Sequence, residues 1–356
     1  MANIVTDKPK VSVITAVYNC ERFLSEAIES VLGQTFTDFE YIIVDDGSTD
    51  KTPEIIKNFM RRDSRIITAR IENSGPANAR NVALQMAKAD WIAVLDADDV
   101  CFPHRLEEQV NFVKDHPECI LVGSGCMEIT ADGRLIKEHY YPCDHDKLFK
   151  NLERRSKFFP HSSNFYKRML GSTAIKYNAR YPASQDYNLW LVLSDLGKIG
   201  CVNSILIKLR KHNSSISNIE SGKLQAVMGL CTAICHFRRK AGLSDPSQME
   251  EDVWREFVKW VRKRMEEESI FQERRSYQAI RDAYYNYNGN KIKGVKSVAT
   301  YLIKNPKALK AIWRRFFKID YISKLAKKSQ DFSVLSGDGE NPSLSGEERF
   351  CEIPKG

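Results

Sequence analysis

Two acidic runs carry the chemistry that the residue types allow. Asp45-Asp46-Gly47-Ser48 follows the apolar run Tyr41–Val44, and Asp96-Ala97-Asp98-Asp99 follows Trp91–Leu95. Three carboxylates within four residues repel one another, and the usual reason for tolerating them is a bound cation. Hard divalent ions such as Mg²⁺ take carboxylate and phosphate oxygens together. The competing reading is a solvated acidic turn. The apolar run before it, Pro103 after it and the matching acids at 45 and 46 favour a site. A nucleotidyltransferase could also use such acids, but it needs a Gly-rich phosphate loop after the first strand, where Tyr18-Asn19-Cys20-Glu21 stands. A dinucleotide dehydrogenase fails for want of G-x-G-x-x-G.

The elements that must position these acids alternate regularly. Val11–Val17, Tyr41–Val44, Arg65–Ala69 and Trp91–Leu95 read as short buried strands. Between them, Phe23–Leu32 has an apolar helical stripe that stops at Gly33. Pro53 opens a second helix, and Ser74-Gly75-Pro76 starts a third. This rhythm predicts an α/β fold with a mostly parallel central sheet flanked by helices. Its ligands should lie at the carboxyl edge of the strands. Beyond residue 100 the pattern predicts helices over 104–114 and 185–193, and strands over 119–129 and 203–216. Residues 140–182 read as mixed, aromatic and basic. The chain then looks helical from about 220 to 327, and 329–356 read as a disordered tail.

Composition places the chain among globular proteins: 356 residues, 42% hydrophobic and 28% charged. The net charge of +8 is local. Residues 291–328 hold twelve Lys or Arg against Asp320, and 329–356 hold six acids against two bases. No run reaches the roughly 18 apolar residues that span a bilayer. The first ten residues lack an apolar h-region, so no cleaved secretion signal is expected. Nine scattered cysteines without a CxxC pair point away from a zinc site or disulfide framework and toward the cytoplasm.

The segments VSVITAVYN, QTFTDFEYIIVDDGSTD, NSGPANARN and WIAVLDADD, in this order, closely resemble the family 2 glycosyltransferases of GT-A fold. The resemblance is strong over 10–130, moderate over 155–217 and fades after about 220. It implies a GT-A catalytic domain over 1–217, and the residue pattern adds a helical, basic C-terminal extension over 218–328. The resemblance also implies an inverting transferase that moves a sugar from a UDP-sugar to an acceptor hydroxyl. The acceptor would be a saccharide or lipid-linked saccharide of bacterial surface polysaccharide or glycolipid synthesis.

Carried onto this sequence, the resemblance puts Ala16, where many relatives have Pro, beside the nucleotide base. Asp46 becomes the acid that accepts from the uracil N3–H, and Asp45 either shares that task or shapes the turn. Arg80 becomes the basic contact to the nucleotide or its diphosphate. Asp96 and Asp98 form a DxD motif that binds Mn²⁺ or Mg²⁺, with Asp98 the better candidate for direct contact. Asp99 borders the donor sugar, and His161 stands in a segment near the donor sugar and the acceptor. Asp186, in Ser184-Gln185-Asp186-Tyr187, is the implied catalytic base. His212 joins the metal or touches the diphosphate. Trp190, one turn beyond Asp186, lines the acceptor site or packs in the core.

Lys307–Lys318 has Leu309, Ile312, Trp313, Phe316 and Phe317 on one helical face, with Lys and Arg on the other. That pattern suits a helix lying on an anionic membrane, which would place the protein peripherally on the inner face of the cell membrane. It equally suits a helix packed on protein. No nucleic-acid motif accompanies the charge. The non-enzymatic alternative is a degenerate transferase domain acting as a membrane-bound scaffold. Intact Asp46, Asp98 and Asp186 weigh against it.

Overall fold

The computed structural model describes residues 8–212, 219–267 and 318–329. They fall into two compact units, one over 8–212 and one built from 219–267 with 318–329.

The first unit is built on a nine-stranded sheet. Its first four strands are β1 (Val11–Val17), β2 (Phe39–Asp45), β3 (Ile66–Arg70) and β4 (Trp91–Val94). They lie in the order β3-β2-β1-β4, all parallel. β2 is buried along its whole length, as a strand covered on both faces must be. The helices between them are α1 (Leu24–Leu32), α2 (Thr52–Arg62) and α3 (Pro76–Met86). α1 buries Leu24, Ala27, Ile28 and Val31, the i, i+3, i+4, i+7 set of an amphipathic helix. These elements agree with the sequence reading to within a residue or two.

After β4 come the two-residue β5 (Val100–Cys101), α4 (Arg105–Asp115), β6 (Cys119–Thr130) and β7 (Leu135–His139). The next elements are α5 (His145–Glu153), a 3₁₀ turn at His161–Ser163, β8 (Phe165–Lys167), and the small hairpin β9 (Met169–Leu170) and β10 (Thr173–Ala174). α6 (Gln185–Leu196) and β11 (Lys198–Lys211) complete the unit. β8 inserts between β4 and β6, antiparallel to both, and β11 runs parallel to β6. The parallel frame thus continues into a mixed half. α5 is absent from the sequence reading, because one short helix with Leu148 and Leu152 buried gives little periodic signal. Its start is marked by the Asp144 side chain accepting from the Lys147 N–H at 3.0 Å. β11 begins at Lys198 instead of 203 and follows Gly197 directly.

In the second unit, α7 (Ile219–Lys240), α8 (Glu251–Glu267) and α9 (Lys318–Lys328) bear out the helical reading where they are described. α9 packs on α7 and buries Ile322, Leu325 and Ala326. Arg238, itself buried, donates to the Ser329 carbonyl at 2.5 Å and the Ser244 carbonyl at 2.8 Å. The Lys307–Lys318 segment, apart from its last residue, and the acidic tail beyond Ser329 lie outside the described residues.

Candidate active site

The sheet order makes β1 central, with β2 on one side and β4 on the other. The strand order reverses between β1 and β4, and in open α/β sheets ligands bind outside the carboxyl ends of the strands at such a reversal. Ala16 is half-buried at the next-to-last position of β1, in register with Val44. The Asp46 N–H donates to the Val17 carbonyl at 2.8 Å, so the ends of β1 and β2 are tied together.

Asp45 and Asp46 divide their work. Asp45 Oδ1 accepts from the Ser48 N–H at 2.9 Å and so shapes the turn, while its Oδ2 faces Arg70 Nε at 3.4 Å. Asp46 accepts from the N–H groups of Ser74 at 2.8 Å and Gly75 at 3.0 Å. It thereby fixes the loop that leads into α3. Gly47, at φ +79°, allows this approach, since a Cβ there would stand 2.9 Å from the Asn73 nitrogen.

The second acidic turn is stitched to distant segments. Asp96 Oδ1 accepts from Arg80 Nη2 at 2.8 Å, and His161 Nδ1 lies 3.1 Å away. His161 Nε2 meets the Tyr177 hydroxyl at 2.9 Å, and the Arg80 guanidinium lies 5.5 Å from the Tyr177 ring centre. Burial would push the Asp96 carboxyl up, but His161 and Arg80 outweigh it and hold it well below the ordinary carboxylate range. Asp98 is different. Burial and the neighbouring Asp96 push its carboxyl up, against the pull of His212, whose Nε2 is 2.8 Å from Asp98 Oδ2. Asp99 is buried, accepts from the Ser162 hydroxyl, and takes the Arg210 N–H at 2.8 Å. Burial, then Asp98 and Asp96, push its carboxyl well above the usual range.

Charge pairing therefore outweighs burial at Asp96, and burial outweighs it at Asp98 and Asp99. Asp98 and His212 supply one carboxylate oxygen and one imidazole nitrogen, a donor pair that suits Mn²⁺ or Mg²⁺ when phosphate oxygens complete the shell. Among the described residues no group of three or more His, Cys, Asp or Glu is arranged to hold a metal by itself. Of the three metal-binding candidates, Asp98 and His212 come together, while Asp96 is engaged by Arg80 and His161.

Asp186 lies half-buried in the first turn of α6, its Oδ1 accepting from the Tyr187 N–H at 2.7 Å. Ser184, just before α6, is in the left-handed region at φ 59°. Arg80 Nη1 donates to Gln185 Oε1 at 2.9 Å, so this guanidinium links the DxD turn to the residue preceding Asp186. Trp190 is buried, donates to Asn164 Oδ1 at 3.0 Å and packs beside Phe158 and Phe159. Its core role is the one realised. Cys20 sits nearby with its thiol pushed up to about 12 by burial and by Asp98, which argues against a cysteine nucleophile.

The sequence reading passed over Ser162, Tyr177 and Gln185 as site residues. Gln185 stands in the segment quoted for Asp186, and only its spacing to Arg80 was hidden. Tyr177 is held by Asn81, which donates to its carbonyl and accepts its N–H, both at 2.8 Å. No sequence signal marks it.

A parallel α/β frame with an acidic turn at its switch point and histidines against that turn agrees with the GT-A architecture that the sequence resembles. The glycosyl transferase family 2 model matches residues 12–171. An uncharacterized glycosyltransferase of Methanocaldococcus jannaschii is 34% identical over 244 residues, covering 66% of this chain and 81% of that protein. The O-antigen biosynthesis glycosyltransferase WbnJ of Escherichia coli is 32% identical over 209 residues, 58% of this chain and 81% of its own. Several other relatives are matched over less than half of their length. The crystal structure of S. aureus TarS 1–349 in complex with UDP-GlcNAc has a TM-score of 0.54 at 15% identity, covering 92% of each chain. The chain belongs to glycosyl transferase family 2, and it is a glycosyltransferase.

Proposed function

We propose that the protein transfers a sugar from a UDP-sugar to an acceptor hydroxyl with inversion, in the synthesis of a surface polysaccharide or glycolipid. The donor class is supported by TarS, solved with UDP and with UDP-GlcNAc. The process is supported by relatives named for O-antigen biosynthesis and as a chondroitin synthase. Residues 1–217 would form the catalytic domain and 218–328 the extension.

The observation that carries this reading is the Arg80 bridge. One guanidinium joins Asp96, in the acidic turn, to Gln185, the neighbour of Asp186. Acid turn and base are thereby held on one frame, as an in-line displacement requires. Asp186 takes the acceptor proton as the hydroxyl attacks the anomeric carbon, and the Tyr187 N–H fixes its orientation. Ala16, Asp46 and Arg80 serve the nucleotide, and Asp96, Asp99 and His161 shape the donor-sugar side. A divalent ion held by Asp98 and His212, when bound, offsets the negative charge that grows on the leaving diphosphate.

Asp186→Asn is expected to lower turnover by ~10²–10⁴-fold with UDP affinity unchanged. The assay is UDP release from a panel of nucleotide sugars with acceptor present. Unaltered turnover would remove Asp186 from the mechanism.

A further inference from the structure

Arg210 makes more contacts to the site than its place in the sequence suggests. Its side chain is 2% exposed. Nε donates to the Asp98 carbonyl at 2.9 Å, Nη1 to the Ala131 carbonyl at 3.1 Å, and Nη2 to Glu26 Oε2 at 2.5 Å. Its own N–H holds Asp99 Oδ1 at 2.8 Å. These partners lie on three separate segments: the acidic turn, the β6–β7 turn and α1. The Phe23 ring, just before α1, lies 4.9 Å from the Arg210 guanidinium and 4.8 Å from the His212 ring.

Asp98 and His212 approach each other from segments 114 residues apart. Arg210 grips the main chain of the first and stands two residues before the second. We infer that Arg210, anchored by Glu26, is a positioning residue that sets the spacing of the Asp98 carboxylate and the His212 imidazole for a divalent cation. This rests on the metal-binding reading above.

A purely structural buried arginine would loosen the fold without favouring the cation site. A positioning arginine must change cation affinity. Lysine at 210 keeps the charge but cannot form the three-way fork. Glu26→Gln keeps the shape and an oxygen that can accept from Arg210 while removing the anchor's charge, and the unfolding measurement registers any loss of fold.

The experiment measures Mn²⁺ binding to the full chain with saturating UDP, by the electron paramagnetic resonance signal of free Mn²⁺. Thermal unfolding without metal is followed in parallel. Wild type is compared with Arg210→Lys, Glu26→Gln and, as a control, Asp98→Asn. Loss of a residue that orients metal ligands typically costs ~10–100-fold in metal affinity. Arg210→Lys is expected to weaken Mn²⁺ binding within that range, and Glu26→Gln in the same direction by at least about threefold on the same reasoning. Should Arg210→Lys fail to fold, Glu26→Gln decides. If Asp98→Asn loses Mn²⁺ while both positioning variants bind like wild type, the inference about Arg210 is overturned. If Asp98→Asn itself binds like wild type, the metal reading falls and takes this inference with it.

Discussion

The Arg80 guanidinium faces two parts of the chemistry at once, and its fork geometry is what allows it. Nη1 and Nη2 point to different partners, Gln185 and Asp96, while the plane lies over Tyr177. A lysine has one point charge and cannot serve both. Arg80→Lys is therefore expected to lower turnover by roughly 10²-fold, the scale of a small misplacement of catalytic groups. The thermal midpoint should fall by a few degrees, because one buried partner loses its donor. Equal activity of the two proteins would show that the bridge is dispensable. At this scale the residue types were legible. Asp46, Arg80, Asp98 and Asp186 stand in segments that stood out in the sequence. Which partner each one holds was not legible, because Arg80 and Gln185 are 105 positions apart.

Elements position these residues through their ends. α2 closes at Asp63, whose carboxylate takes Arg65 Nε at 3.0 Å, Nη2 at 2.7 Å and the Arg65 N–H at 3.0 Å, turning the chain into β3. The Arg65 hydrogen bond holds the Asp63 carboxyl below its ordinary 3.8. A carboxyl depressed by folding stabilises the protein above its unfolded value and loses that contribution as pH falls through the folded value. Asp63→Asn should therefore cost about 1 kcal/mol at pH 7. The difference from wild type should shrink as the pH falls below the ordinary carboxylate range. Urea midpoints at several pH values test this, and a gap that widens in acid contradicts it. The longest elements were the most legible, because a buried strand or an amphipathic helix repeats its signal. β8, three residues long, and α5, nine, carry too few turns of any period to stand out.

For the whole molecule the open issue is the basic C-terminal region. Among the described residues no helix is long and apolar enough to cross a membrane. Deleting 291–356 would be an ambiguous test of membrane binding. It would remove α9, whose apolar face is buried, and Ser329, which accepts from buried Arg238. Charge reversal is cleaner. Lys310, Arg314 and Arg315 changed together to Glu should weaken binding to anionic vesicles by at least roughly 10²-fold, given about 1 kcal/mol per basic residue lost and further repulsion from the added carboxylates. Sedimentation with vesicles measures it. Binding at full strength would direct attention to another surface.

The residues themselves determined the parallel β-α alternation, the two acidic turns at strand ends and the family. These are local facts, written in runs of apolar residues and in motifs a few positions long. Tertiary structure decided that Asp96 pairs with Arg80 and His161, and that His212 meets Asp98. It also decided that Trp190 belongs to the core and that Arg210 braces the acidic turn. Each of those outcomes depends on which distant side chain arrives within about 3 Å. The sheet order sets that distance, with β8 inserted between β4 and β6, and no short window of sequence encodes it.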